Sequence, residues 1–135
     1  MADYNKPLPV ITQDSEPYWD AAKRHEFRMQ RCTDCGKFRF PPTHACWYCL
    51  STNTEWAPLS GRGTIWSFTV MHQIYYKGFA DEMPYAVIVV ELEEGPRIAS
   101  NIVECKREDI RIGMPVQVVF DDVTDAVTLP KFRPA

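Results

Sequence analysis

The sequence predicts a mainly β protein in which one N-terminal helix precedes a metal-binding ribbon and a five-stranded barrel of the OB-fold type. Three observations predict it: a helix-start signal near residue 14, two CxxC pairs, and five short β-type stretches after Ser60. At 135 residues, the chain is long enough for a modest core. We predict an arm and helix over 1–27, a ribbon over 28–59 and an OB-fold over 60–135.

The helix is predicted from its first turn. Asp14-Ser15-Glu16-Pro17 combines a capping side chain, an acid and a proline, as helix starts commonly do. We expect the helix to run to about His25, and an alternating strand over 27–31 to lead into the first cysteine pair. The predicted apolar stripe of the helix consists of Tyr18, Trp19 and Ala22.

The two CxxC pairs predict a metal site. Ten residues separate Cys32-Thr33-Asp34-Cys35 from Cys46-Trp47-Tyr48-Cys49. Each CxxC turn directs two sulfurs to one point, and two such turns close a tetrahedron around Zn²⁺. Gly36 suits the left-handed backbone of such a turn. We predict one structural zinc per chain, with Cys32, Cys35, Cys46 and Cys49 as its ligands.

Other uses of these cysteines remain open at this stage, namely two disulfides, four free thiols or an iron site with the same ligands. The polar start of the chain is unlike a signal peptide, and no apolar run approaches the ~20 residues that span a membrane. We therefore expect a cytosolic protein, where reduced thiols favour metal over disulfide. We interpret the unpaired Cys105 as an inert, partly buried thiol.

The barrel is predicted from alternating apolar residues. Over 64–72 the pattern places Trp66, Phe68 and Val70 on one face, which we assign to the core. The β-branched run over 85–92 predicts burial on both faces. The remaining strands are predicted over 97–103, 116–120 and 127–129. A sandwich is the alternative, but it usually needs more strands.

The connection Gln73–Pro84 is unusually apolar for a loop. It carries Ile74, Tyr75, Tyr76, Phe79 and Met83. Apolar loops are costly to leave in water, so we expect it to meet its own core, a partner protein or an apolar ligand.

Charge and motifs point to binding rather than catalysis. The net charge of −3 gives no general attraction to nucleic acid. The sequence contains no glycine-rich phosphate loop, GxSxG or HExxH motif. One local basic cluster fits either a phosphorylated ligand or a solvated rim around the negative thiolates. It consists of Lys23, Arg24, Arg28, Arg31, Lys37 and Arg39.

Seven segments of the sequence together carry a resemblance to known proteins: Pro17–Trp19, Gln30–Gly36, Pro41-Pro42, Cys46–Cys49, Gly61–Thr69, Pro84-Tyr85 and Leu129–Pro134. With them, the chain resembles a family of acyl-CoA-associated proteins that combine an N-terminal helix, a rubredoxin-like zinc ribbon and a C-terminal OB-fold. The sequence departs from the family pattern at Thr43, where arginine is common, and at Trp47, where proline is common.

The resemblance implies a non-catalytic accessory subunit of a thiolase-superfamily enzyme, either a thiolase or a related aldolase of steroid side-chain degradation, with hydratases as a further kind of partner. The larger partner would supply the nucleophile and base, and the small subunit would stabilise it and help to hold the acyl-CoA. The basic cluster then becomes a candidate site for CoA phosphates. The candidate partner contacts are Tyr75, Tyr76, Phe79, Phe132 and Arg133.

A single-stranded nucleic-acid binder is the alternative function, because zinc ribbons and OB-folds both occur in such proteins. Residues 60–135 carry eleven acids against eight bases, which would repel a phosphate backbone. The sequence therefore favours the acyl-CoA accessory subunit.

Overall fold

A computed structural model describes residues 4–135, which form one α-helix, two short 3₁₀ helices (Lys77–Glu82 and Arg107–Asp109) and two antiparallel sheets. The helix α1 spans Glu16–Lys23, and no helix in the described part of the chain is long and apolar enough to cross a membrane. A three-stranded sheet has the order β2-β1-β3, and a five-stranded sheet has the order β6-β5-β4-β7-β8. The strands are β1 Arg28–Cys32, β2 Phe38–Arg39, β3 Thr54–Pro58, β4 Arg62–Met71, β5 Tyr85–Leu92, β6 Arg97–Ser100, β7 Pro115–Asp122 and β8 Thr128–Pro134.

The helix begins where predicted and ends two residues early. His25 adopts a left-handed backbone with φ of 60°, which ends the helical run. Its imidazole then stacks on Phe120 of β7 at a centroid distance of 5.2 Å, and its Nε2 lies 3.0 Å from Asp122. The end of the helix is thereby attached to the larger sheet. The buried face consists of Tyr18, Ala21 and Ala22, while Trp19 is only half-buried.

The five-stranded sheet curls until its two edges meet. Ile102, just after β6, forms an isolated parallel bridge with Phe132 of β8. The Val103 N–H donates to the Phe132 carbonyl at 2.7 Å, and the Phe132 N–H donates to Asn101 at 3.0 Å. The core of the sheet is formed by Ile65, Ile88, Val90, Val116 and Phe132 among others. The predicted five-stranded OB-fold is confirmed, whereas the domain limits at 28–59 and 60–135 stay a prediction.

The last strand is longer than the predicted 127–129 because its prolines do not interrupt the pairing. Phe132 directs its N–H away from β7, toward Asn101. Pro130 and Pro134 lie two residues on either side, so their nitrogens face the same way. They therefore remove no hydrogen bond between β7 and β8.

A β-bulge in β4 reverses the orientation of Trp66. The pairing of β4 with β5 shifts between Ile65 and Ser67, so Trp66 points outward and is 48% exposed. Phe68 still packs against the core. The prediction that both aromatics share the core face is therefore wrong for Trp66. Its ring instead lies 3.9 Å from the Arg97 guanidinium carbon.

Candidate metal centre and its surroundings

The four predicted cysteines converge on one point. Their Sγ atoms all lie within 4.8 Å of one another. The Cys32–Cys49 and Cys35–Cys46 sulfurs are 3.5 and 3.7 Å apart. A tetrahedral zinc with bonds of about 2.3 Å places its sulfurs about 3.8 Å apart, so the cluster fits one such ion. Because four thiolates fill its coordination sphere, the ion would be structural.

Both cysteine turns are closed by the same kind of backbone bond. The Gly36 N–H donates to the Cys32 carbonyl, and the Leu50 N–H donates to the Cys46 carbonyl, each at 2.8 Å. Gly36 and Leu50 both have positive φ, at 77° and 66°. The left-handed turn predicted at Gly36 is confirmed. Its counterpart at Leu50 was missed, because leucine gives no signal for that conformation.

Hydrogen bonds from backbone amides lower the pKa of cysteine thiols in the cluster, which favours the thiolate form that binds metal. The Cys35 amide donates to the Cys32 Sγ at 3.4 Å, and this contact is the main reason that the pKa of Cys32 falls to about 6. At Cys49 the Ser51 amide lowers the pKa, but the neighbouring thiols and burial together raise it. Because the metal ligands are thiolates, binding of a metal ion must release the protons that remain on the cluster.

A polar network centred on Thr43 braces the chain between the turns. The Gln30 side chain donates to the Thr43 carbonyl and accepts from the Thr43 N–H, each at 2.8 Å. Arg39 donates to the Thr43 hydroxyl at 3.0 Å and to the Thr54 hydroxyl at 2.8 Å. Asp34 accepts from Ser51 of the other turn, which holds the pKa of that carboxyl low. Thr43, one of the two departures from the family pattern, is thus part of the ribbon framework.

The predicted basic cluster does not form one surface. Arg39 is 1% exposed, so its assignment to an exposed phosphate site is wrong; its hydrogen bonds to the ribbon explain its burial. Arg24 and Arg28 both donate to Glu26, at 2.7 and 3.1 Å. The other three are exposed: Lys23 in the last helical turn, Arg31 above Phe38, and Lys37 above Tyr48.

The predicted partner contacts likewise include both exposed and buried residues. Tyr75 and Tyr76 are 66% and 58% exposed, whereas Phe79 stacks on Tyr85 at 5.0 Å. Arg133 is exposed beside Glu104. Phe132 has no exposed surface, so its assignment to a partner interface is wrong. The C-terminal segment forms β8 of the curled sheet, which turns this ring into the core.

The N-terminal arm packs on the apolar loop, a contact that sequence reasoning did not find. Lys6 pairs with Glu82 and lies 5.4 Å from the Phe79 ring centroid. A Cβ on Gly78 would come within 2.3 Å of the Asn5 carbonyl oxygen, so only glycine allows this approach. The arm and loop border a cavity of about 410 Å³ that includes Cys105, whose pKa is raised by burial.

Comparisons with known proteins agree with this architecture. Residues 19–55 match the ChsH2 rubredoxin-like zinc ribbon domain, and residues 56–121 match the ChsH2 C-terminal OB-fold domain. A solved structure titled Ltp2-ChsH2(DUF35) aldolase superposes with a TM-score of 0.85 at 37% identity, covering 94% of this chain and 98% of the other.

Two curated relatives differ in how much of their length is matched. A DUF35 domain-containing scaffold protein of Methanocaldococcus jannaschii is 40% identical over 77% of this chain and 78% of its own length. A protein of Thermomonospora curvata named "Probable enoyl-CoA hydratase alpha subunit" is 38% identical over 96% of this chain but only 40% of its own. The chain thus spans well under half of that longer relative. It belongs to the ChsH2-type DUF35 family of zinc-ribbon and OB-fold proteins.

Proposed function

We propose that this protein is a non-catalytic scaffold subunit that pairs with a thiolase-superfamily enzyme acting on acyl-CoA. The observation that carries the proposal is the match with the chain of an aldolase assembly, which extends over nearly the whole of both chains. Two curated relatives bear the names "DUF35 domain-containing scaffold protein" and "Probable enoyl-CoA hydratase alpha subunit". The partner would be a thiolase or an aldolase, and it would supply the catalytic nucleophile and base.

The cysteine cluster supports a structural part for this chain. A Cys₄ zinc has no open coordination position, so when bound it supplies rigidity rather than Lewis-acid catalysis. The ion would hold the two turns together and keep the ribbon sheet in place beside the OB-fold. We also place the protein in the cytosol, where its thiols would stay reduced for metal.

The partner-binding surface that we propose is the outer part of the loop 73–84. Ile74, Tyr75 and Tyr76 are consecutive and each is more than half exposed. Aromatic residues in such a position are typical anchors of protein interfaces. Phe79, Lys6 and Glu82 hold the base of the loop against the OB-fold and the N-terminal arm, so the exposed rings are presented from a fixed support.

The CoA contacts that we propose are limited to the exposed members of the basic cluster that do not pair with Glu26. Arg31 and Lys37 lie on the ribbon near the cysteine turns, and Lys23 ends the helix. Arginine and lysine side chains recognise phosphates such as those of CoA through charge-assisted hydrogen bonds. Arg24 and Arg28 are engaged with Glu26 and would contribute less.

The test is co-expression with a thiolase-superfamily catalytic subunit, followed by sedimentation analysis and assay of acyl-CoA turnover. We expect one mixed oligomer, and activity that is lost when the small chain is omitted. The double variant Tyr75→Ala/Tyr76→Ala should weaken assembly at least tenfold, since each anchor contributes on the order of 1–2 kcal/mol. Trp66→Ala, which removes a half-exposed aromatic ring elsewhere on the surface, is the control and should assemble normally.

Two chains that sediment separately, with unchanged partner activity, would overturn the proposal. For CoA, Lys37→Ala should raise KM for the acyl-CoA while kcat stays the same, because a phosphate contact remote from the reacting atoms contributes uniform binding. An unchanged KM in Arg31→Ala, Lys37→Ala and Lys23→Ala would remove the CoA assignment and leave the scaffold function intact.

A further inference from the structure

Residues 7–11 of the N-terminal arm expose apolar side chains along a segment that belongs to neither sheet. Leu8, Val10 and Ile11 are 46%, 84% and 43% exposed. Val10 is the most exposed of the large apolar residues in the described part of the chain. Single apolar residues scattered over a surface are ordinary, whereas three within four positions indicate a contact surface.

The backbone of this segment is also unpaired. Within residues 4–135, no backbone group forms a hydrogen bond with the backbone of residues 7–11. The segment belongs to no helix, strand or turn. Free backbone N–H and C=O groups beside exposed apolar side chains are the features by which an edge strand recruits another strand. The arm therefore has both requirements for pairing with a second chain.

Two prolines determine which edge of the arm can pair. Pro7 and Pro9 have no N–H, and each biases the residue before it toward an extended backbone. In an extended chain, alternate residues direct their N–H and C=O groups to opposite edges. Pro7 and Pro9 therefore share one edge, while Leu8 and Val10 share the other and place their side chains on one face. The arm thus has one edge that can donate at every position.

One end of the segment is fixed beside the loop 73–84, which carries the partner surface proposed above. Lys6 forms an ion pair with Glu82 of that loop. Asn5 approaches Gly78 so closely that a Cβ there would lie 2.3 Å from the Asn5 carbonyl oxygen. A partner that covers the exposed part of the loop therefore meets the start of the arm as well.

The other end of the segment is fixed at the start of the helix. The Thr12 N–H donates to the Ser15 hydroxyl, and the Glu16 N–H donates to the Thr12 carbonyl, each at 2.9 Å. Both ends are thus held, and the prolines limit the conformations between them. The segment consequently loses little backbone freedom when it pairs, which favours docking.

We propose that residues 7–11 dock on the catalytic subunit as an added β-strand, which pairs through Leu8 and Val10 with an exposed strand edge of that partner. Main-chain hydrogen bonds would supply the affinity, and apolar contacts with Leu8 and Val10 would fix the register. The inference rests on the scaffold function proposed above and describes how the two chains join.

A second copy of this chain is a poorer partner for the arm, because its sheets leave little edge free. In the described residues, the edges of the five-stranded sheet meet at the bridge between Ile102 and Phe132. The ribbon sheet ends on β2, which has two residues, and on β3. Pro58 ends β3 without an N–H, and Arg28 already donates to the Trp56 carbonyl at 3.4 Å.

The test is amide hydrogen exchange of the arm, resolved by residue, in the free protein and in the mixed oligomer with the co-expressed thiolase-superfamily subunit. We expect exchange at Leu8 and Val10 to slow about tenfold or more in the oligomer, because paired amides are protected. Exchange at Ile11, whose N–H lies on the other edge, should stay fast.

The outcomes separate this inference from the scaffold function. If a mixed oligomer forms and Leu8 and Val10 exchange as in the free protein, the added strand is overturned and the scaffold function stands. If no mixed oligomer forms, both are overturned. Protection that rises with the concentration of the isolated protein would assign the arm to a second copy and overturn the pairing with the catalytic subunit.

Two proline variants form a matched pair. Val10→Pro removes an N–H from the pairing edge, and Ile11→Pro removes one from the opposite edge. Val10→Pro should weaken assembly about fivefold, the effect of one net hydrogen bond, and Ile11→Pro by less than about twofold. Equal weakening in the two variants would overturn pairing through one edge. Both free proteins should unfold like the wild type, since the substituted residues are exposed and their N–H groups are unpaired.

Discussion

The ribbon and the curled sheet are held together by different forces. In the ribbon the fully buried side chains are Met29, Arg39, Cys32 and Cys46, so two of the four are metal ligands and one is charged. The five-stranded sheet contributes Ile65, Ile88, Val90, Val116 and Phe132 to a continuous apolar core, which Met29 of the ribbon also joins. The ribbon therefore depends mainly on its metal and its polar network, whereas the OB-fold depends mainly on hydrophobic burial. Each region should fail in its own way when it is perturbed.

Loss of a metal ligand should have the largest effect. In Cys46→Ser we expect loss of zinc and collapse of the ribbon, because the free energy of metal binding in such sites is on the order of 10 kcal/mol. Mass spectrometry of the native protein measures the loss of zinc, and a thermal unfolding curve measures the loss of stability. Cys105→Ser is the matched control, since Cys105 lies outside the cluster. A Cys46→Ser protein that unfolds like the wild type would contradict the conclusion that the ribbon depends on its metal.

Truncation of the barrel core should have the next largest effect. Phe132→Ala removes a ring with no exposed surface and should lower the free energy of unfolding by about 3–5 kcal/mol. Urea unfolding measures this loss, and zinc should remain bound as long as the chain is folded. Arg133→Ala, the exposed neighbour, should change the stability by no more than about 0.5 kcal/mol. Similar losses in the two variants would contradict the placement of β8.

A smaller effect should follow at the closest approach of β4 to β5. A Cβ on Gly63 would lie 2.4 Å from the Glu91 carbonyl oxygen, so Gly63→Ala must separate the strands. We expect a loss of about 1–3 kcal/mol, as in other overpacked positions. Gly113 has φ of 86° and open space around it, so Gly113→Ala should cost only about 1 kcal/mol of backbone strain. Thermal unfolding of the two variants would show whether this order holds.

The smallest effect concerns pH and the attachment of the helix to the sheet. Hydrogen bonds from Thr128 and then His25 lower the pKa of Asp122 in the folded protein. Its contribution to stability is therefore complete above the unfolded pKa of about 3.9 and is lost as the pH falls through the lower folded value. Asp122→Asn should be less stable than the wild type at pH 6, and the two should converge in strong acid. A constant difference at every pH would show that Asp122 acts without its charge.

The sequence predicted the metal site better than its surroundings. Four cysteines at fixed spacing specify a local turn geometry, so the ligand set could be read directly from the sequence. The prediction for Trp66 was wrong because a β-bulge shifts the alternation of inward and outward side chains. No residue type in β4 indicates that a bulge occurs there. Phe132 and Arg39 were assigned to surfaces because their burial depends on contacts with distant strands: the bridge to Ile102 and the hydrogen bond to Thr54. Long-range pairing of this kind leaves no local pattern.

Hydrogen exchange tests the contrast between the two regions most directly. Amide exchange would be followed in the zinc-loaded protein and after removal of zinc with a chelator. We expect protection over β1, β2 and β3 to be lost without zinc, while protection over β4, β5 and β7 is kept. Equal loss in both sheets, or no loss in either, would contradict the conclusion that the metal holds the ribbon and the apolar core holds the OB-fold.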